Sequence, residues 1–382
     1  MSATKLTPSG FREHFPGLAD TTHLASCSQG ALSGELMSAL AEMTGSMREH
    51  GAPWELWMAE VDTARRRFAA LINASPDEIA IVSCASEGAY QVASTIDWYP
   101  RPRIVTTDME FPSIGHVWLG QAARGAGVVH VPESGAAVDP GALVAAIDER
   151  AGLVSVPIVS YRNGARLPVA EAVRRAREVG ARVFVDAYQA AGVLPVDVRA
   201  LGCDYLVSGA LKYLLGLPGI AFLYARSGLT DDVPPQLTGW FGRADPFSFD
   251  PRRLDFPTGA RRFEIGTPAI PAAYGANAGL GLLSRVDAAA VERHVTGLTA
   301  LLSARLAEAG ERLWAPPGTA GHGPQVALVD ARPDQLAAFL ADRRIVAAPR
   351  GAVVRFSFHY FNDESDVDSV CAALTEYRRT AK

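Results

Sequence analysis

The chain is almost without lysine. Three of its 36 basic residues are lysines, namely Lys5, Lys212 and Lys382. Lys5 stands near the N-terminus and Lys382 is the last residue, so Lys212 is the one lysine in the body of the chain. Cysteine is scarce as well. Cys27, Cys84, Cys203 and Cys371 are widely scattered and form no CxxC pair, so neither zinc nor a disulfide framework is indicated and no metal site is expected. No apolar run is long enough to span a bilayer, and the N-terminus carries no secretory signal. The expectation is a reducing cytoplasm and no membrane partner. A net charge of −5 with no long basic run argues against nucleic acid as a partner. No GxGxxG or GxxxxGK[ST] follows any predicted strand, which weighs against a plain nucleotide-binding enzyme.

What is present is an ordinary globular composition, 48% hydrophobic and 20% charged over 382 residues, which suggests about two domains. Residues 1–20 read as a tail with a short helix, 21–285 as a large domain and 286–382 as a small one. In the large domain, apolar strands alternate with helical patterns: a strand from Glu78 to Val82, a helix from about Glu87, then RIVTTD, GVVHVP, a helix from Pro140 to Glu149, LVSVPIVS and RVFVD. Repeated βα units with short loops predict an α/β fold with a doubly wound, mainly parallel sheet. The pattern loosens after Tyr224 until a helix from about Pro271. A long amphipathic helix (Ala288 to Ala309) then leads into a small α+β region with strands around QVALVD, Val346 and Val354 and a last helix from Asp363.

Arginine stays protonated in proteins, whereas a desolvated primary amine can lose its proton and attack a carbonyl to form a Schiff base. A chain that keeps one interior lysine either keeps it for such chemistry or is a lysine-poor sequence with a chance survivor. The neighbours of Lys212 favour chemistry. RVFVD is a buried strand ending in Asp186, and acids at the C-terminal ends of parallel strands face the ligand crevice of open α/β sheets. Gln189 follows three residues on. A second strand, Tyr205 to Val207, precedes Lys212 in a Gly-punctuated loop. An Asp and a Lys 26 residues apart on neighbouring strand ends reach opposite sides of one small ring. Upstream, the small residues around Ala85 and Ser86 join a strand to a helix, and a helix N-terminus attracts anions such as phosphate. The plainer alternative is that Ser86 is an N-cap.

The segments VDAYQAAGVLPVDV and GCDYLVSGALKYLLGLPGIAFLY resemble the cofactor segment of the class V aminotransferase family of pyridoxal 5'-phosphate (PLP) enzymes, fold type I. That family includes cysteine desulfurases, kynureninase, several C–S lyases and some aminotransferases. The resemblance implies PLP as cofactor, with Lys212 as its Schiff-base lysine. Asp186 would keep the pyridine nitrogen protonated, so that the ring acts as an electron sink. Gln189 would bond the ring hydroxyl, Ala85 and Ser86 would cradle the phosphate, and Phe111 of MEFPS would stack on the ring, unless it is a core residue. RFEIGTP implies a homodimer in which Thr267 reaches the partner's cofactor phosphate. VVRFSFHYFND implies that Arg355 clamps the α-carboxylate of an amino-acid substrate by bidentate geometry. Ser28 and Gln29 of the SCSQG segment would enter the substrate side. Tyr161, where desulfurases have asparagine, would reshape the pocket, with Arg162 and Asn163 close by. Arg243 falls where kynureninase has a histidine, while His116 and His359 are expected to be structural.

Two departures narrow the expected activity. Desulfurases carry a catalytic cysteine in a mobile loop before the clamp arginine, but here that stretch is LADRRIVAAPRGAVV, and Cys371 comes after Arg355. Persulfide formation is therefore disfavoured. Leu211 stands before the lysine where the family often has His or Tyr, and Gly209 stands where desulfurases have Ser; Ser208 is the candidate to compensate as a cofactor ligand. The expected reaction is C–S β-elimination on a cysteine-derived substrate. Kynureninase-like hydrolysis, transamination, epimerisation and PLP-dependent oxidation are alternatives, as is, in another class, a non-catalytic ligand-binding protein on the same fold.

Overall fold

The computed structural model describes residues 5–229, 233–316 and 321–380. Its centre is a seven-stranded sheet. In chain order the strands are Ile79–Val82 (β1), Arg103–Thr107 (β2), Gly127–Val131 (β3), Ala151–Pro157 (β4), Arg182–Asp186 (β5), Tyr205–Gly209 (β6) and Ala221–Ala225 (β7). Their spatial order is β1-β7-β6-β5-β4-β2-β3. β7 pairs antiparallel with both of its neighbours, and the remaining pairs are parallel. Strands such as IAIV and AGLVSVP are buried along their whole length, as a sheet covered on both faces requires. Alternation sorts their side chains into two layers: Val183, Val185, Leu206 and Phe222 pack on one face, and Phe184, Tyr205, Val207 and Leu223 on the other.

Helices Gly34–His50 (α1), Trp54–Leu71 (α2), Ala85–Ser94 (α3) and Val169–Val179 (α4) belong to this part of the chain. In α4, Val169, Ala172, Val173, Ala176 and Val179 form a buried stripe of helical period, and Gly180 at φ 71° ends the helix. α2 begins at Trp54, so its first turn carries two tryptophans, Trp54 and Trp57. α3 begins at Ala85 rather than near Glu87.

The C-terminal part holds Ile270–Leu283 (α5), Ala288–Glu308 (α6), strand Gln325–Val329 (β8), Pro333–Ala341 (α7), strands Ala348–Arg350 (β9) and Val353–Ser357 (β10), and Glu364–Thr380 (α8). β8, β10 and β9 form an antiparallel sheet in that order. The N-terminal segment packs on this region. The Phe11 ring stacks on His359 at 5.6 Å, Arg12 Nη1 donates to the Phe361 carbonyl and to Asp366, and Thr22–His23 runs parallel to Ile345–Val346.

Candidate active site

Because β7 runs against the other strands, its first residue meets their last ones. Ala221 lies opposite both Val82 and Gly209, Asp186 opposite both Pro157 and Val207. This edge holds a cavity of about 260 Å³, and the sequence-predicted residues Ala85, Ser86, Phe111, Tyr161, Asp186, Gln189 and Lys212 all line it. At one end stands the N-terminus of α3. Cys84 is the N-cap and Ser86 lies inside the first turn, so Ser86 is not the cap. The first intrahelical bond is from Gly88 N–H to the Cys84 carbonyl, leaving the amides of Ala85, Ser86 and Glu87 without helical partners. That is the positive end of a helix dipole, suited to an anion.

Lys212 is half-buried and lines the same cavity. Its Nζ lies 4.3 Å from the centroid of the Tyr188 ring and 5.4 Å from that of Phe111. Burial pushes the ammonium pKa down to about 8; the Asp186 charge pulls it up, and Arg355 and Arg350 push it further down. An amine that is partly neutral near pH 8 is a competent nucleophile. Asp186 accepts the Tyr188 N–H at 2.7 Å. Burial raises its pKa, and Tyr188 N–H and Lys212 oppose the rise. A second buried carboxyl, Glu110, accepts from Phe111 N–H at 2.8 Å and from the Ser155 hydroxyl at 2.9 Å. Burial and the neighbouring Asp186 charge raise it to about 8. Glu110 is thus the carboxyl that keeps its proton near neutral pH, beside Asp186 and Lys212.

Gln189 Nε2 donates to the Cys27 carbonyl at 3.0 Å, while its Oε1 is buried with no partner, an acceptor aimed at whatever fills the cavity. Arg355, on β10, is 1% exposed. Its Nε donates to the Ala348 carbonyl and its Nη1 to the Tyr161 carbonyl, but Nη2 has no partner. No carboxylate pairs with it among the described residues. A buried cation left unpaired is costly, so this group is poised for an anion.

Several sequence-predicted residues are placed elsewhere. Ser208 is fully buried on the sheet face opposite to Gly209, its hydroxyl is unpartnered, and it does not line the cavity. Gly209 has a different explanation from a lost ligand: a Cβ there would collide with the Tyr188 ring. Thr267 is exposed and lines an adjoining cavity of about 420 Å³ that shares Ser83 and Gly219 with the first. Ser28 and Gln29 do not line the cavity either; they form a turn docked on the lysine loop, where Gly30 N–H donates to the Leu211 carbonyl. Asn163 is buried and uses both ends of its amide within the chain. His116 is exposed. His359 is buried, donates from Nε2 to the Tyr213 carbonyl and is pushed down to about 4 by burial, a neutral strut. Sequence reasoning missed Glu110, Tyr188 and Cys27. Glu110 was signalled by being the acid just before Phe111, and Tyr188 by lying between Asp186 and Gln189. Cys27, whose carbonyl accepts from Gln189 Nε2, comes from a distant segment.

The parts fit PLP: a lysine of lowered pKa, a buried carboxyl in the same cavity, a free amide acceptor, an aromatic face and an anion-binding helix end. Fold and site together define a PLP-dependent enzyme of fold type I. The class V aminotransferase model matches residues 36–370, and the chain belongs to that family. It is 36% identical to a Bacillus subtilis protein described as an uncharacterized aminotransferase, over 94% of this chain and 95% of that one. It is 29% identical to a probable cysteine desulfurase of Methanothermobacter thermautotrophicus, over 83% of each chain. A kynureninase of Deinococcus radiodurans is 30% identical over 64% of this chain and 58% of that protein. Among solved structures, a cystine C–S lyase in complex with cysteine persulfide superposes with a TM-score of 0.86 at 25% identity, covering 94% of this chain and 98% of the other. Among the described residues no helix is long and apolar enough to cross a membrane, and no group of three His, Cys, Asp or Glu could hold a metal ion.

Proposed function

We propose that the enzyme binds a cysteine-derived amino acid by its α-carboxylate and cleaves the β C–S bond by elimination, without a persulfide-forming cysteine. One observation carries this. β9 and β10 form a tight hairpin in which Arg350 pairs with Val353, leaving Gly351 and Ala352 as the turn, so no cysteine-bearing loop stands before Arg355. The thiols near the cavity are Cys27, buried under the lysine loop, and Cys84 at the helix end.

When bound, the cofactor supplies an electron sink for negative charge at the substrate Cα. Lys212 would hold the cofactor covalently and, when free, would move the Cα proton. Asp186 would keep a proton on the ring nitrogen, Gln189 Oε1 would accept from the ring hydroxyl, and Phe111 would cover a ring face. The first turn of α3, with Ser86, holds the phosphate. Arg355 orients the α-carboxylate and Tyr161 shapes the pocket wall. The enzyme acts as a cytoplasmic homodimer, in which the exposed Thr267 reaches the partner's phosphate.

The cystine C–S lyase and the desulfurase relatives support cleavage at sulfur. A second reading, kynureninase-like hydrolysis, is favoured by the edge-to-face pair of Phe111 and Tyr161, centroids 4.9 Å apart, which gives the pocket an aromatic wall. The test is to supply the holoenzyme with cystine, S-alkyl cysteines, cysteine and kynurenine. Pyruvate from the cysteine conjugates supports elimination. Alanine and anthranilate from kynurenine supports hydrolysis instead, and alanine with transferable sulfur from cysteine would refute the proposal.

A further inference from the structure

We infer that the substrate carries a second acid group at the far end of its side chain, bound by Arg350 and Arg162 in a side cavity that opens beside the cofactor cavity at Tyr161. This rests on the amino-acid reading above and names its substrate class. The side cavity has a volume of about 450 Å³; Tyr161 lines both cavities, and Arg162, Trp314 and Arg350 line the side one.

The sheet register places the arginines. Ala348 lies opposite Arg355 and Arg350 opposite Val353. Residues directly opposite share a face of an antiparallel pair, as do residues two apart on one strand. Arg350 and Arg355 are therefore diagonal neighbours on the same face, roughly 7–8 Å apart at the backbone. Arg162 is brought in from the other side, because Arg355 Nη1 bonds the carbonyl of the preceding residue, Tyr161. Its guanidinium lies over the Trp314 ring, 4.5 Å from the centroid, which fixes its plane.

These two guanidiniums lack acids. Among the described residues neither Arg350 nor Arg162 forms an ion pair, whereas arginines elsewhere on the C-terminal part do: Arg343 with Glu376, Arg378 with Glu311 and Asp330. The acid nearest the site in bonding terms is Glu133, and its Oε1 is engaged by Trp314 Nε1 at 3.4 Å and Ala136 N–H at 2.8 Å. The Arg350 charge is also felt at Lys212, together with that of Arg355. One unpaired buried guanidinium accounts for an α-carboxylate. Two more line the side cavity, Arg162 half-buried on Trp314 and Arg350 exposed at its mouth, and with no acid among the described residues to pair them they suit a second anion. The chemical class is an α-amino acid ending in a carboxylate, sulfinate or sulfonate, or a disulfide whose far half carries its own carboxylate.

The experiment is equilibrium titration of the holoenzyme, followed by the visible absorbance of the cofactor. The probes are L-aspartate, L-glutamate and L-2-aminoadipate against the neutral L-glutamine and L-norleucine. At least one acid should bind about tenfold or more tightly than the neutral ligands, the usual size of a charge-assisted pair. In Arg350→Gln and in the Arg162→Gln/Arg350→Gln double variant that advantage should shrink to about twofold, with neutral-ligand affinity and melting temperature unchanged. Neutral ligands binding as tightly as all three acids, or a preference that survives in the double variant, overturns the inference while leaving the amino-acid reading intact. If no ligand, acidic or neutral, perturbs the cofactor, the amino-acid reading itself fails and the inference with it.

Discussion

Two buried arginines in this protein do opposite things. Arg243 lies in the loosely structured stretch after β7, and its guanidinium is closed off inside the chain. It meets Asp255 at 3.3 and 3.4 Å, the Ser248 hydroxyl at 2.9 Å and the Asp250 carbonyl at 3.3 Å. Arg355 is buried more completely, yet has two carbonyls, no carboxylate and a nitrogen with no partner. A guanidinium with a partner at every nitrogen is a strut that folds a loop. One with a buried nitrogen left over is fit to receive an anion. Family resemblance drew attention to both positions, and only the count of partners separates them.

The comparison depends on a working cofactor end, so the largest expected effect comes from Lys212. Lys212→Ala should lose the borohydride-reducible cofactor adduct. It should also lower turnover by roughly 10²–10⁴-fold from the missing acid–base group alone. A variant that keeps the reducible adduct would place the covalent lysine elsewhere. Arg355→Ala comes next. Losing a charge-assisted pair costs about 1.5–3 kcal/mol, so apparent affinity for an amino acid should fall from about tenfold to over a hundredfold. Arg355→Lys should recover only part of it, since an ammonium lacks the planar fork. Melting temperature should fall less than in a variant that orphans a carboxylate, because Arg355 leaves only the Ala348 and Tyr161 carbonyls without a partner. Arg243→Leu should show the reverse pattern: a melting temperature several degrees lower, with Asp255 left unmatched, and substrate affinity unchanged. If both variants lose affinity, or Arg355→Ala loses as much stability as Arg243→Leu, the distinction between strut and receptor collapses.

How far the site was legible in the sequence follows from the range of each signal. Lys212 and Asp186 stood out because a single interior lysine and an acid at a strand end are local features, whereas Gln189 and Arg355 were picked out by the family resemblance. The parity of Ser208 was lost to a boundary. With the strand expected to stop at Val207, nothing assigned faces to the next two residues; once β6 runs to Gly209, alternation sends Ser208 away from the face of Val207. Gly209 read as a missing hydroxyl, yet what it provides is room for the Tyr188 ring, a contact across 21 residues that no pattern announces. Cys27 reaches Lys212 from the far end of the chain, and the bonds that bring it there, through Gln189 and Ser357, join three distant segments.

The smallest effect tests the acidic counterpart of the two arginines, the buried carboxyls Asp186 and Glu110. Glu110 rises from an ordinary value near 4.5 to about 8. The folded protein therefore keeps a proton that the unfolded chain gives up as pH climbs through that window. Stability from this group is complete below pH 4.5, declines as pH rises and is lost above 8. Two other groups act outside the upper part of the window. His359, lowered to about 4, costs stability as pH falls below its unfolded value of 6.5, and Lys212, lowered to about 8, responds above 8. Between pH 6.5 and 8 the contribution of Glu110 stands apart. Glu110→Gln is neutral throughout and keeps a carbonyl for Phe111 N–H. Urea unfolding of the cofactor-free protein at pH 6.5 and at pH 8 should show wild type losing more stability on going to pH 8 than Glu110→Gln does. Equal losses would mean that Glu110 is already ionised in the folded state. Asp186 would then have to share its buried neighbourhood with a second negative charge, and its assignment as the sole ionised carboxylate facing the ring nitrogen would fail.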